Sequence, residues 1–356
     1  MAMQGNWQQR AGVWGLTTMV TVTSSVVPRL ATAATTNDAN STLVPSPRDS
    51  AAPIAPVATT PPPPTTAQPY VNPSLGDSKP LGRGLSVGLM LGTYVGINVV
   101  AYLAWWRGAP PDQFEWIQDG WFGEHTYAGG ADKFGHFYAN HLQTRAIAGI
   151  LEEGGWHPRT STYAGAALTL GTFYVVEMRD AFSTGFSKND MISNIAGTAT
   201  GVLFREFPIL DEMFDTRLEY IPSSGYFKHF KKKGFNFSED YSGMTYHFAW
   251  HLCSLPFIEQ LAGPLRFTDL VVGYGTRNYR PRTDPSLPRY QETFIGISLN
   301  LQRLVDELWT GERHPKWGKS ASRLHRFTHF ATEFLSVPYT TLPVGTWVNE
   351  SYKTPH

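Results

Sequence analysis

Three short runs of this 356-residue chain place carboxylates, a histidine and carboxamides where helices turn apolar. Asp132, His136 and Asn140 lie four apart, with Gln143 three further on, so they share one face of a helix. Glu177 and Asp180 are three apart at the end of an apolar run. Asp190 and Asn194 are four apart, and Gly197 continues their line. Carboxylates in apolar surroundings must be paired, hydrogen-bonded or neutralised. Three such stripes cost least when they face one another. This predicts one shared cluster of Asp132, His136, Glu177, Asp180, Asp190 and Asn194, with Lys133 or Arg179 as counter-charge.

Three kinds of chemistry suit that cluster. It can be a satisfied polar network that fixes helices together, with Asp132 and Asp190 capping helix starts and His136 bridging to Glu177. It can be an acid–base centre, or hold a divalent metal over a phosphate, acting as a hydrolase or phosphatase on a lipid headgroup or cell-wall precursor at a membrane surface. It can also bind an anionic lipid headgroup, as can the basic aromatic run around Lys231, Lys232 and Lys233, whose blander reading is a solvated loop. Binding differs from hydrolysis in persisting without turnover. No nucleophile is marked beside these residues. The single cysteine, Cys253, permits no internal disulfide or cysteine-based zinc cluster and reads as an ordinary buried apolar residue. Two further histidine pairs, His247/His251 and His325/His329 with Glu333 beyond, have i,i+4 spacing that can share a zinc on a helix but lack the HExxH glutamate. Both pairs read as surface or partly buried histidines.

These residues need elements to hold them. The patterning predicts a first helix from about Asp132 to the Gly154–Gly155 stop and a second from Ser161 to Asp180. A third follows Ser187, whose side chain, with Asp190 three residues on, fits a helix start. Gly197 and Gly201 give that helix a small-residue face. Beyond Tyr220 the chain turns to strands. "FTDLVVGYGT" is one. In "TFIGISLNL", Ile295, Ile297, Leu299 and Leu301 alternate with Gly296, Ser298 and Asn300, the period of a half-buried strand. A short helix through Leu304, Val305 and Leu308 follows. Then comes an amphipathic helix over 320–335, with Leu324, Phe327, Ala331 and Phe334 on one side. The expected fold is mainly α: a small membrane-associated helical bundle over 111–220, then a mixed α/β part over 221–356 with a few antiparallel strands.

The N-terminal third points to the cell envelope. Residues 1–34 read as an export signal, with Arg10, an apolar stretch and an A-x-A site at "ATAA". Residues 35–80 are a Pro/Thr-rich spacer, expected to be disordered because it cannot bury enough apolar surface. Leu85 to Trp106 carries no charge and is long enough to cross a bilayer. Its Gly88, Gly92 and Gly96 offer a face for a partner helix, and Tyr102, Trp105 and Trp106 form an aromatic end. Lys79 and Arg83 before it place the N-terminal side in the cytoplasm, whereas a cleaved signal places it outside. Lys plus Arg equals Asp plus Glu, 29 each, so nucleic acid is not an expected partner; a membrane lipid or envelope component is.

"DKFGHF" followed by "EMRDAFSTGFSKNDMISNIAGTATG" resembles the YfiM-like family of predicted envelope lipoproteins, a domain of unknown function (2279). The matching positions are Asp132, Lys133, His136, Phe137, Glu177, Asp180, Gly185, Phe186, Ser187, Asp190 and Gly197. A looser similarity runs to VanZ-like membrane proteins, which share D-K-x-x-H, E, then D-x-x-x-N-x-x-G. "EDYSGMTYHF", "VVGYGTRNY" and "ETFIGISLNL" are similar to the β-rich stretch of longer YfiM-like members, so the likeness covers roughly 121–301. It implies an exported location on the periplasmic or outer-membrane side, and no established activity. It also implies that "MTYHFAWH" is a strand, with His247 and His251 on one sheet face. The family's lipoprotein cysteine is missing, so no acyl anchor is expected and anchoring shifts to the Leu85–Trp106 segment.

Overall fold

The computed structural model describes residues 80–107, 111–233, 237–255, 258, 263–282, 284, 286–311 and 322–351. The signal-like segment and all but the last residue of the Pro/Thr spacer lie outside the described residues. Helix α1 (Arg83–Ala101) continues into one π-helical turn, Tyr102–Trp106. It is, among the described residues, the one helix whose averaged hydropathy (1.6) and length suffice to cross a membrane, and only 11% of it is buried. Gly88, Gly92 and Gly96 have no neighbour within 4 Å of where a Cβ would lie.

Helices α2 (Ala131–Glu153), α3 (Pro158–Asp180) and α4 (Lys188–Glu206) follow. α2 stops where Gly155, at φ 83°, lets the chain turn back: Gly155 donates to the Glu152 carbonyl at 2.8 Å. α3 begins a turn before the expected Ser161, because Pro158 is suited to a helix's first position and His157 accepts from the Arg159 amide at 3.2 Å. α4 starts at the expected cap, the Ser187 hydroxyl accepting from the Asp190 amide at 3.0 Å. α2 packs along α3, α4 and α1, and α3 packs on α4. Close approach explains the glycines: a Cβ on Gly197 would strike the Phe137 carbonyl, and one on Gly165 would lie 2.8 Å from the Thr144 carbonyl. Gly88, Gly92 and Gly96 therefore differ from Gly197, which is spent on packing within the chain.

After α5 (Pro208–Met213) the chain forms β3 (Phe214–Tyr220), α6 (Ser224–Lys233), β4 (Met244–His251), β5 (Thr268–Arg277) and β6 (Arg289–Leu299). Then come α7 (Leu301–Thr310), α8 (Arg323–Phe334), β7 (Leu335–Ser336) and β8 (Thr341–Ser351). Six strands form one mixed sheet in the order β7-β3-β4-β5-β6-β8, parallel only between β3 and β7. The molecule therefore combines a predominantly helical body with a larger sheet than a few antiparallel strands, and the sheet begins at Phe214, inside the segment assigned to the helical domain. Lys231, Lys232 and Lys233 close a helix, α6, instead of lying in a loop. Their side chains lie outside the described residues.

The main apolar core joins α2 and α8 to the sheet through Tyr138, Met244, Tyr246 and Phe334, and the Tyr138 hydroxyl donates to the Phe334 carbonyl at 2.7 Å. Elsewhere the sheet's polarity is reversed. Register puts Phe248, Val272 and Ile295 side by side on one face, and each remains about half exposed (47%, 49% and 48%). The opposite face buries His247, Ala249, His251, Asp269, Val271, Phe294 and Ser298. β6 does alternate, but Ile295, Ile297 and Leu299 face outward, not into the core. The inward side is taken by the Phe294 ring, which fills the space a side chain on Gly273 would need, and by charged groups described below. Leu301 has left the strand and opens α7. α8 departs from expectation in the same way: Leu324 and Phe327 are exposed while His325, Arg326, Glu333 and Phe334 are buried.

Candidate functional site

The turn into α2 sets the first half of the site. Gly129 and Gly130 both adopt positive φ (65° and 91°), and a Cβ on Gly130 would run into the Phe122 ring. Directly before that turn, β1 (Trp116–Ile117) pairs in parallel with β2 (Phe186–Ser187). This short pairing lays residues 112–120 on the α3–α4 connection and carries Asp119 to the mouth of α2. The beginnings of α2 and α4 and the end of α3 then meet.

Lys133 sits at the centre. It is 2% exposed, and its ammonium bonds Asp190 Oδ1 at 2.6 Å, Asp132 Oδ2 at 2.9 Å and the Asp119 carboxylate. Asp119 also accepts from the Ser187 hydroxyl at 2.9 Å and from Asn189 Nδ2 at 3.3 Å. One turn along α2, His136 Nδ1 lies 3.0 Å from Asn194 Oδ1 and 3.5 Å from Glu177 Oε1. Asn194 donates to Glu177 at 3.1 Å and accepts from Asn140 at 2.6 Å. With acceptors on its Nδ1 side, the His136 proton belongs on Nδ1, leaving Nε2 facing Asp190 Oδ1 at 3.8 Å. Gln143 bonds Thr172 of α3 at 3.3 Å instead of joining the centre.

Asp132, His136, Glu177, Asp190 and Asn194 are thus brought together, with Lys133 as the counter-charge. Asp180 stands at the edge, accepting from Trp106 Nε1 at 2.9 Å, and Arg179 lies 5.8 Å over the Trp106 ring. Neither Asp132 nor Asp190 is a cap. The α2 cap is Gly130 and the α4 cap is Ser187, while the two aspartates occupy first turns, where a helix dipole still favours them. Sequence reasoning missed Asp119, which the β1–β2 pairing brings in, Trp106, which a π-helical turn brings in, and Asn189, in the first turn of α4.

Four carboxylates, Asp119, Asp132, Glu177 and Asp190, surround one lysine and one histidine. With all four ionised, negative charge would exceed positive even with His136 protonated, and the buried Asp132 Oδ1 has no hydrogen-bond partner. Among the described residues, two groupings have donor atoms within 4.8 Å of one another: His136, Glu177 and Asp190, and Asp119, Asp132 and Asp190. In the second the Lys133 ammonium already holds the cation's place.

A second ionic group lies inside the sheet. Arg217 bonds Asp215 Oδ2 at 2.5 Å and lies 2.7 Å from Asp269 Oδ2. His251 lies 2.9 Å from Asp269 Oδ1 and 3.2 Å from Asp215 Oδ2. Burial works against the His251 charge, but Asp215 and Asp269 overcome it and push its pKa up to about 10. Burial likewise opposes the Asp215 charge, and His251 and Arg217 hold its carboxyl well below the usual range. His247, on the same face, is lowered to about 4 by burial and by the nearby Arg217 charge, so it is neutral. Both histidines are fully buried, beyond the surface or partly buried reading: the aspartates that anchor His251 come from two neighbouring strands, which spacing cannot show. His325 and His329 converge on Asp306 at 2.7 and 2.9 Å. His325 is buried, and Cys253 is only partly so. Neither of two cavities, of about 410 Å³ beside Arg145 and Arg205 and about 580 Å³ between α2 and the sheet, is lined by the Lys133–His136 centre.

Residues 118–206 match the model of a family described as "Predicted periplasmic lipoprotein (DUF2279)". The matched quarter of the chain contains every residue of the polar centre except Trp106, and it supports an exported, envelope-associated location. The looser VanZ-like similarity is not shown, and the match does not extend to the later strands. No curated protein and no solved structure matches the chain.

Proposed function

We propose that this is a membrane-associated structural protein of the cell envelope, and that the Lys133–His136 centre locks its helical domain together without carrying out catalysis. The observation that carries this reading is Lys133, a buried ammonium bonded to carboxylates from the preceding loop, α2 and α4. A fully engaged internal cation is what a packing centre needs. α1 is the membrane-attached element. In Lys133→Met, three carboxylates lose their common partner. A drop of about 2–3 kcal/mol in stability is expected, below the usual cost of breaking a buried pair because Asp119 and Asp190 keep 12% and 14% side-chain exposure. A variant as stable as the parent would refute the packing role.

A second reading rests on the carboxylate excess. His136, Glu177 and Asp190 would accept a divalent cation, and a metal held there could polarise a phosphate of a lipid or cell-wall precursor. Titration of the solubilised full chain with Zn²⁺ or Mn²⁺ by calorimetry tests this. Binding that disappears in His136→Ala supports it; no heat of binding in the parent removes it.

A further inference from the structure

The outward faces of α3 and α4 break the rule for helices in water. From Thr160 to Val176 α3 has no charged residue, and from Met191 to Phe204 α4 has none. Their exposed positions are Thr160, Tyr163, Ala167, Gly171 and Tyr174 on α3 and Ile192, Ile195, Ala196, Ala199 and Leu203 on α4. Most of their polar side chains point inward: Thr162, Thr169 and Thr172 on α3, and Ser193, Asn194 and Thr198 on α4, are all buried, while Thr160 at the start of the α3 stretch is exposed and Thr200, partly exposed, bonds its own helix's Ala196 carbonyl. α2, packed against both, buries Asn140, His141, Gln143, Thr144 and Arg145. A soluble helix turns its apolar stripe inward and its charges outward. Here the polarity is reversed, as in helices solvated by hydrocarbon.

Scattered exposed apolar residues are ordinary. An uninterrupted face is not, and this one has the dimensions of a membrane. At 1.5 Å per residue the uncharged stretch of α3 is roughly 25 Å long and that of α4 roughly 20 Å, against a hydrocarbon core of about 30 Å. Charges resume at both ends. Arg159 and Glu206, 3.3 Å apart, mark one end with Arg83, which stacks 5.1 Å over Trp156. Arg179 and Lys188 mark the other, over Trp106 and Trp116 respectively. Long basic side chains and tryptophans at the two levels are what a short span uses to reach headgroups. α1 lies against α2 with its own ends at the same two levels: Leu81 bonds the Glu153 carbonyl at 2.7 Å, and Trp106 bonds Asp180.

We infer that α3 and α4 face the hydrocarbon of a lipid bilayer beside α1, and that α2 is the shielded polar helix among them. Averaged hydropathy passes over α3 and α4 because their inward faces are polar. The inference is independent of what the Lys133–His136 centre does, since it concerns only the outer faces.

The test uses the full chain in a Cys253→Ser background, with single probes at Ala167→Cys, Ala199→Cys, Val95→Cys and Arg159→Cys. These are exposed positions, where a small fluorophore leaves the packing intact. Each labelled protein is reconstituted in phosphatidylethanolamine/phosphatidylglycerol vesicles and challenged with mid-chain doxyl lipid or with aqueous iodide. Probes at 167 and 199 should lose fluorescence to doxyl lipid as strongly as the Val95 probe and resist iodide, while the Arg159 probe responds to iodide. Iodide quenching at 167 and 199 would overturn the inference, because those faces would be in water. Quenching by neither agent would overturn it too, because a protein partner or second copy would cover them. Unfolding of the labelled variants is excluded by requiring far-ultraviolet circular dichroism equal to that of the parent.

Discussion

Two ionic centres of this protein use similar residues to different ends. Inside the sheet, Arg217 and His251 face Asp215 and Asp269, two positive groups against two negative, all buried. At the helix ends, Lys133 and His136 face four carboxylates, and His136 keeps 22% side-chain exposure. A charge-balanced group sealed from water is stable as it stands and has nothing left to bind. A centre with surplus negative charge near solvent retains a demand for a proton or cation. The comparison teaches that both centres can hold a fold together, and that charge balance and access to water decide which of them leaves room for the metal-binding reading.

The largest test of that contrast is Arg217→Met. It leaves two buried carboxylates with one histidine between them, and a loss of about 3–5 kcal/mol in chemical denaturation is expected. If Arg217→Met cost less than Lys133→Met, the ranking of the two centres would be reversed. pH gives the next largest effect. The His251 pKa is raised from 6.5 to about 10, so its contribution is fully present below pH 6.5 and is lost as pH rises through about 10. Melting temperature should therefore fall between neutral pH and pH 10, and His251→Gln should flatten that limb. An unchanged limb in the variant would assign the alkaline loss to another group. The smallest effect belongs to Ser187→Ala, which removes the α4 cap and one donor to Asp119; about 1 kcal/mol is expected. A much larger loss would mean that the β1–β2 contact, not Lys133, holds the helical centre.

Much of the helical site was legible because helical spacing is local. Asp132 and His136 must share a face, and a carboxylate stripe on each of three apolar helices is costly unless the stripes meet. The centre's remaining partners were not legible. Asp119 arrives through a two-residue strand pairing, and Trp106 through a π-helical turn. In the sheet, alternation identified β6 but not which side of it faces inward, since a period of two is the same in either direction.

The sequence by itself determined where α2, α3, α4, β5 and β6 lie, that their polar residues are grouped by face, and that α1 can cross a membrane. These follow from backbone periodicity and from the cost of isolated charge. Only the tertiary structure decided that Lys133 is the internal cation, that His251 is sealed between two aspartates, and that α3, α4 and the sheet present apolar faces outward. Those outcomes depend on which segments distant in sequence arrive beside each face, and therefore on what each side chain has to exclude or neutralise.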